Sequence, residues 1–486
     1  MSLETVAAAL TRPGAKLVEG TAGSRVPEIA SHNTIYILGT GTLGVYQKPT
    51  QIISVEDFQN QFGASTSEFS IRALFREYKA ANVFFVRAAI ADVAELAITG
   101  ITAGVLNFTI NTIPISITVA ATGVTVAQIA QDVLNSVNTT TATAAISTAY
   151  ATGDPTKIKI VSDVPGEILT ITETSTILTV TDFVPSVASV IDFVQAIDKS
   201  FDAEDGWAQG FLIAPEAFQN FPVASDRLAI GNAMERLASS EGFDWMVFVD
   251  NHGTITTQTQ LVTDSAQYVS PLGHLAYFAP YLVTPENQFI PPSAVVAASA
   301  CRKYNVEGFQ EPIGGTKYAL TSIKDVAIRY VNQQQDVLNP LGVNLVRNLR
   351  NKGVCVWGMR TRSSDANYKF IHTRVIMNVV NGTLRGAFDS FLFSSIDGIG
   401  LLLHRMAETA NSVGIRLWLG RALFGGSPDL AFAVVCNFTN NTPNTLETGI
   451  GILQFYCAPV PGLERLLLST YRVKIGEVGD AANGLI

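Results

Sequence analysis

The chain has 486 residues, 47% hydrophobic and only 15% charged. That is enough apolar material for cores in two to four domains, and it excludes a disordered chain. Mean hydropathy is +0.27, yet no stretch approaches the ~18 uninterrupted apolar residues of a spanning helix. The nearest runs, 391–403 and 449–468, are cut by Asp397, Pro459, Pro461, Glu464 and Arg465. Glu4 and the lack of a basic residue before the first apolar patch argue against a secretory signal. The chain therefore reads as soluble and unexported, with surplus apolar surface that meets other subunits. The net charge of −9 is uneven: residues 345–486 carry 14 Lys+Arg against 9 Asp+Glu (+5), and residues 1–344 carry 18 against 32 (−14). An acidic body argues against nucleic acid as a partner. Cys301, Cys355, Cys436 and Cys457 have no C-x-x-C spacing and read as buried free thiols.

In chain order, residues 1–30 have Gly, Pro and no periodic face, and read as an extended arm. Residues 31–95 read as an α/β segment: a strand over Thr34–Leu38, a helix from Ser54 to Gly63 with a capping box at Ser54 and Asp57, a second helix over Phe69–Ala80, and a strand over Asn82–Ala88. Composition then shifts. Residues 96–185 hold 20 threonines and two basic residues. Alternating runs at Leu106–Ile110, Ile113–Ala120, Lys157–Ser162 and Ile168–Thr174, with one helix at Val126–Val137, predict an inserted, surface-exposed β domain. Residues 186–365 return to α/β grammar: strands at Gln209–Ala214 and Asp244–Asp250 flank a helix at Ser225–Ser239, whose Asp226, Glu235 and Arg236 face solvent, and a helix follows at Ala294–Lys303. Residues 366–462 form a C-terminal section. Residues 463–486 are a second extended arm with an alternating strand, Tyr471–Val478. The fold class is multidomain α/β, with an inserted β-rich domain and arms at both ends.

Few residues suggest chemistry. Gly39-Thr-Gly41-Thr-Leu-Gly44 matches G-x-G-x-x-G after a strand, but Val45–Pro49 cannot open the helix that a dinucleotide needs, so a turn between strands is predicted. Ile52–Val55 is assigned to a new short strand. Asp250 and His252 lie at a strand end where α/β enzymes place catalytic groups, and Asp is equally a turn former there. The five histidines have no ligand spacing. No catalytic, cofactor or metal residues are assigned. Between 345 and 375, Arg347, Arg350, Lys352, Arg360, Arg362, Lys369 and Arg374 face only Asp365. That cluster reads as either a solvated face or an electrostatic surface for a neighbouring copy, and Arg347, Arg350, Lys352, Arg360 and Arg362 are the candidates. A helix near Ile396–Ala410 sets Ile396, Ile399, Leu403, Met406 and Ala410 on one side and Arg405 and Glu408 elsewhere.

Four stretches, taken in order, form a familiar set. The first is Arg12-Pro-Gly14, the Gly39–Gly44 turn, and Pro49 through Gly63. The second is Pro291 through Tyr304, then Gly308. The third is Leu338–Asn344 through Gly353–Thr361, with Trp357-Gly358 and Arg360-Thr361 the most telling. The fourth is Ala422–Gly426, Ala431–Asn441, Ala458–Val460 and Glu464. Together they resemble the tail sheath proteins of contractile bacteriophages and of phage-like contractile injection systems. The resemblance covers about 12–95 and 190–480. It implies a non-enzymatic subunit without cofactor that stacks in six-fold rings as a helical cylinder around an inner tube. Contraction then drives the tube through a cell envelope. Implied partners are other copies of the chain, the inner tail tube protein, and baseplate and tail terminator proteins, with no direct nucleic acid and no membrane insertion. The implied location is the virion tail, assembled in the host bacterial cytoplasm. The arms are expected to exchange strands between subunits through Lys16, Leu17, Val18 and Glu19 and through Tyr471, Arg472, Val473, Lys474 and Ile475. Arg405, Glu408 and Arg416 are candidates for touching the tube. The alternatives are an α/β enzyme (hydrolase or nucleotide-binding) using Asp250, His252 or the glycine turn, and another ring-forming virion or baseplate protein.

Overall fold

A computed structural model describes residues 28–88, 93–101, 103–120, 123–140, 147–151, 154–162, 170–173, 178–183, 188–470 and 472. The first section runs β1 (His32–Gly39), β2 (Thr50–Ile52), α1 (Val55–Phe62), α2 (Glu68–Glu77) and β3 (Asn82–Arg87). α1 starts where the sequence indicates, with the Ser54 hydroxyl accepting from Asp57 N–H. The Asp57 carboxylate reaches back to Ile53 rather than to Ser54. Val55 belongs to this helix, so the short strand stops at Ile52.

The insertion contains β4 (Val93–Ile98), β5 (Gly104–Ile110), β6 (Ile113–Val119), α3 (Val126–Thr140), β7 (Ser147–Ala151), β8 (Lys157–Ser162), β9 (Ile171–Glu173) and β10 (Leu178–Phe183). Its strands make two antiparallel sheets, β10-β4-β8-β7 and β6-β5-β9. Ile129, Ala130, Val133 and Val137 on one face of α3 pack into its core with Leu106, Phe108 and Ile160. The alternation read from the sequence is real: Leu106, Phe108 and Ile110 point inward while Val105 and Asn107 face water.

The chain then returns to the body with α4 (Val190–Ser200), β11 (Gln209–Ile213), α5 (Pro215–Asn220), α6 (Ala224–Ser239), β12 (Met246–Asp250), α7 (Gln258–Ala266), β13 (Leu275–Ala279), β14 (Leu282–Val283), β15 (Phe289–Ile290), α8 (Ser293–Glu307), β16 (Asp325–Val326), α9 (Asn332–Leu338), β17 (Val343–Leu349) and β18 (Gly353–Val356). Residues on both sides of the insertion share one eight-stranded sheet, ordered β18-β17-β13-β12-β11-β1-β3-β2. Its six inner strands pair in parallel and only the edge strands β18 and β2 are antiparallel. Continuous apolar runs such as Met246–Asp250 suit strands covered on both faces. One cover is built on α1, α2 and α8, the other on α4, α5, α6 and α7. In the second cover Trp245 stacks on Tyr36 at 4.1 Å between ring centroids.

One sequence expectation about α6 fails. Glu235 is half-buried and accepts from the Ser270 hydroxyl at 3.0 Å, and burial raises its carboxyl above the usual range. Arg227, which the charge pattern did not single out, lies inside the body and pairs with buried Asp264; Asp264 also accepts from Tyr277 Oη at 2.7 Å.

The last section holds α10 (Ile371–Phe388), α11 (Leu401–Leu419), α12 (Pro428–Ala431), β19 (Phe432–Val435), α13 (Pro443–Glu447) and β20 (Gln454–Cys457). α10 and α11 form a hairpin around Ile376, Val379, Val380, Val413 and Leu417. α11 begins five residues later than the sequence suggests. Gly400 turns with φ 78, and the Asp397 carboxylate accepts from the N–H groups of Leu401 and Leu402. Ile396 and Ile399 therefore precede the helix and are exposed. No helix among the described residues is long and apolar enough to cross a membrane.

Candidate assembly surface

The positions that invited an enzymatic reading are occupied by the chain itself. After β1 the Thr40 N–H points at the Glu216 carboxylate, 2.8 Å away, and Ser67 Oγ donates to the same group at 2.6 Å. An anionic ligand at this turn would meet a buried carboxylate. A Cβ at Gly41 would lie 2.6 Å from the Phe62 carbonyl. The glycines thus serve close packing of the turn on the end of α1. Asp250 is fully buried and accepts from Ser293 N–H (2.8 Å) and Ser293 Oγ (2.5 Å), tying β12 to the first residue of α8. Burial pushes its carboxyl up to about 7, against those two bonds. His252 turns away, with its ring nitrogens on Thr254 Oγ1 and the Gln219 carbonyl. No group of three or more His, Cys, Asp or Glu suited to a metal exists among the described residues.

A polar seam joins the C-terminal section to the N-terminal ends of the parallel strands. Asn378 of α10 accepts from Arg374 Nε at 2.7 Å, meets His32 Nε2 at 3.4 Å, and offers its carbonyl to Gln209. Asn381 and Arg385 hold Asp244 at 2.9 and 3.0 Å, and Thr383 accepts from Ala30 N–H. His274 bonds the Trp245 carbonyl and His372 the Val460 carbonyl. Burial depresses all three histidines, His32 to about 3 and His274 and His372 to about 4. The histidines of the seam are therefore uncharged near neutral pH.

From the seam the chain leaves through β19–β20 and a strapped tail. The two strands pair antiparallel, Phe432 opposite Cys457, and Phe432 lies over Gly414 of α11. Among the described residues neither outer edge of this sheet has a strand partner. Val460 N–H then bonds the Ala422 carbonyl. Gly462 passes so near His372 that a Cβ would lie 2.6 Å from its ring. Glu464 ends the strap: Arg360 grips both its oxygens, Nε to Oε1 at 2.7 Å and Nη2 to Oε2 at 2.6 Å, and Asn339 adds a bond at 3.0 Å. Arg360 holds the Glu464 carboxyl below its ordinary range. The backbone of Arg360 is fixed by buried Asn344, which also lies where a Cβ at Gly358 would go. Asn344, Gly358 and Arg360 of the third stretch meet Glu464 of the fourth in this one joint.

The predicted assembly residues divide. Lys16, Leu17, Val18, Glu19, Tyr471, Val473, Lys474 and Ile475 lie outside the described residues, and Arg472 is exposed. Arg405 and Glu408 are exposed and Arg416 is half-buried, on a stripe of α11 with Leu401, Ile415 and Leu419. The basic cluster is not a single face. Arg360 is a buried ion-pair partner, Arg374 is buried in the seam, and half-buried Arg362 donates to the Tyr268 and Leu341 carbonyls. Arg347 donates to Asn332 and Gln335, and only Arg350 and Lys352 of the five candidates stand exposed. Linear spacing collected charges that the fold sends inward.

A parallel body with a β-rich insertion and, among the described residues, an open two-stranded C-terminal sheet defines a multidomain α/β class. The solved structures identify that class as the fold of contractile sheath proteins. The helical sheath of the anti-feeding prophage in its contracted state matches over 95% of this chain and 99% of its own, with TM-score 0.60 and 16% identity. The sheath of an extracellular contractile injection system, PVC, also contracted, matches over 95% and 98%, with TM-score 0.58 and 14% identity. In sequence, the tail sheath protein of Enterobacteria phage T4 is 24% identical over 201 residues, which span 41% of this chain and 29% of that relative's length. No known family profile matches the chain.

Proposed function

We propose that the chain is a structural subunit of a contractile tail sheath, in a phage or a phage-like injection system. The observation that carries this reading is the likeness to the anti-feeding prophage sheath over nearly the whole of both chains. Subunits polymerise into a helical cylinder of stacked six-fold rings around an inner tail tube, and contraction drives the tube through an envelope. Contraction is a switch between two packings of rigid bodies. A few kcal/mol of difference per subunit, summed along a cylinder, supplies the work without a nucleotide.

The arms link neighbours by strand addition, Lys16–Glu19 and Tyr471–Ile475 extending the open edges of β19–β20 in other copies. Each backbone bond adds ~0.5–1.5 kcal/mol net, and an open edge otherwise invites indiscriminate pairing. Arg405, Glu408 and Arg416 face the inner tube. Exposed Arg350 and Lys352 meet the acidic body of an adjacent copy. Baseplate and terminator proteins bound the cylinder, which is built in the host cytoplasm and ends in the virion tail.

Negative-stain electron microscopy of the purified chain across a salt series tests the reading. Hollow striated tubes are expected; single rings that never stack point to a baseplate-type ring protein instead. Deleting Met1–Gly20 or Leu466–Ile486 is expected to leave a folded monomer without tubes, and tubes that persist would overturn the strand linkage.

A further inference from the structure

Two unpartnered apolar surfaces belong to the same chain. The first is the tip of the α10–α11 hairpin, where Leu392, Phe393, Ile396, Ile399 and Leu401 face solvent. Phe393 is fully exposed and also sits at φ 62, a left-handed backbone that a bulky side chain adopts only under constraint. The second is the run Leu466-Leu467-Leu468, at 68%, 90% and 78% exposure. Among the described residues Leu466–Thr470 make no backbone hydrogen bond, whereas just before them Val460 N–H bonds the Ala422 carbonyl and Glu464 is held by Arg360. Three consecutive exposed leucines are unfavourable in water unless something covers them.

We propose that Leu466–Leu468 is a docking segment that seats on the α10–α11 tip of a second copy of this chain; the proposal rests on the sheath reading above and names a contact within it. Charge complementarity selects this occupant. Exposed Arg465 and Arg472 bracket the leucines, while exposed Asp389 stands at one side of the tip and half-buried Asp397, which caps α11, lies within it; the tip carries no Lys or Arg between Phe388 and Leu401. Within one copy both surfaces are open to water. The buried Arg360–Glu464 pair fixes the point of departure, so Leu468 extends at most about 14 Å beyond it. A short, pinned segment fits a defined site on a neighbour better than a wandering tail does, because little freedom is lost when it docks.

The test is a mixture of two full-length variants, Phe393→Cys and Leu467→Cys, assembled under conditions that give tubes and then oxidised. The expected result is a covalent dimer that forms from the mixture at least several-fold more than from either variant alone. Tubes that form normally while the mixture gives no more dimer than the single variants would overturn the docking contact and leave the sheath reading intact. If the unaltered chain forms no tubes under any condition, the sheath reading fails, and this contact with it.

Discussion

The body and the C-terminal section use their apolar residues differently. In the body, Ile37, Phe85, Phe211, Phe248 and Phe278 lie between helical covers, and the sheet ends in edge strands of three and four residues, β2 and β18. The buried carboxylates Asp250 and Asp264 have partners in the chain. Beyond the seam, Phe393, Ile399, Leu419, Leu430 and Leu466–Leu468 face water, and among the described residues β19–β20 is a sheet of two strands. Isolated two-stranded sheets are marginal in water. The body covers most of its large apolar residues within the chain, whereas the much shorter C-terminal section leaves many of its own open to water.

The sharpest way to separate the regions is pH. His32, His274 and His372 have folded pKa values of about 3, 4 and 4, below the 6.5 of the open chain. The unfolded state therefore binds protons that the folded seam refuses. The stability they contribute is complete above about pH 6.5 and is lost as pH falls toward 4, by several kcal/mol together. Arg374 beside His32 and His274, and Lys303 near His372, add to the penalty, while Asp244 near His274 opposes it. Asp250 works the other way, since its raised pKa favours the folded state as pH falls from about 7. Chemical denaturation from pH 7.5 to 4 should show a fall in stability, with the C-terminal section opening first; a flat profile would remove the seam's role.

Next in size, Trp245→Ala in the body should cost ~3–5 kcal/mol and lower Tm sharply, with no site on the tail affected first. Glu464→Ala strands buried Arg360 without its partner and should cost up to ~3 kcal/mol. Arg360→Ala should cost less, because Glu464 lies nearer the surface and can turn into water. Equal costs would mean that the pair is not a buried joint. Asp250→Ala should cost ~1–3 kcal/mol by leaving Ser293 N–H unbonded, whereas Asp250→Asn, which can still accept that bond, should be nearly silent. Smallest of all, Arg405→Ala and Glu408→Ala should shift monomer stability by under ~0.5 kcal/mol while weakening tube co-assembly in a pelleting assay.

Much of the body was legible. Period-2 and 3.6 patterns found β1, β3, α1, α2, β11, α6, β12 and α8 within a few residues, because each carries its burial signal locally. The threonine-rich shift marked the insertion for the same reason. What stayed hidden were pairings distant in sequence. Arg360 and Glu464 are 104 positions apart, so Arg360 looked like one surface charge among seven. His32 and Asn378 are separated by 346, and no spacing rule joins them. Glu235 was misjudged, and Arg227 passed over, because helical periodicity says which face a charge is on, not whether a neighbour covers it. The late start of α11 has a local cause, the Asp397-Gly398-Ile399-Gly400 turn, which the apolar periodicity around Ile396 and Ile399 masked. The arms gave a sequence signal of extended chain but none of what they pair with.

The central claim is that the C-terminal section becomes complete only on assembly. Hydrogen-exchange mass spectrometry on monomer and tubes measures this directly. The account predicts that protection is gained on assembly at Phe432–Val435, Gln454–Cys457, Leu466–Thr470 and the 389–401 tip, with the central strands of the body already protected in the monomer. Tubes whose new protection falls only in the body or the insertion, with the C-terminal section still exchanging freely, would contradict it.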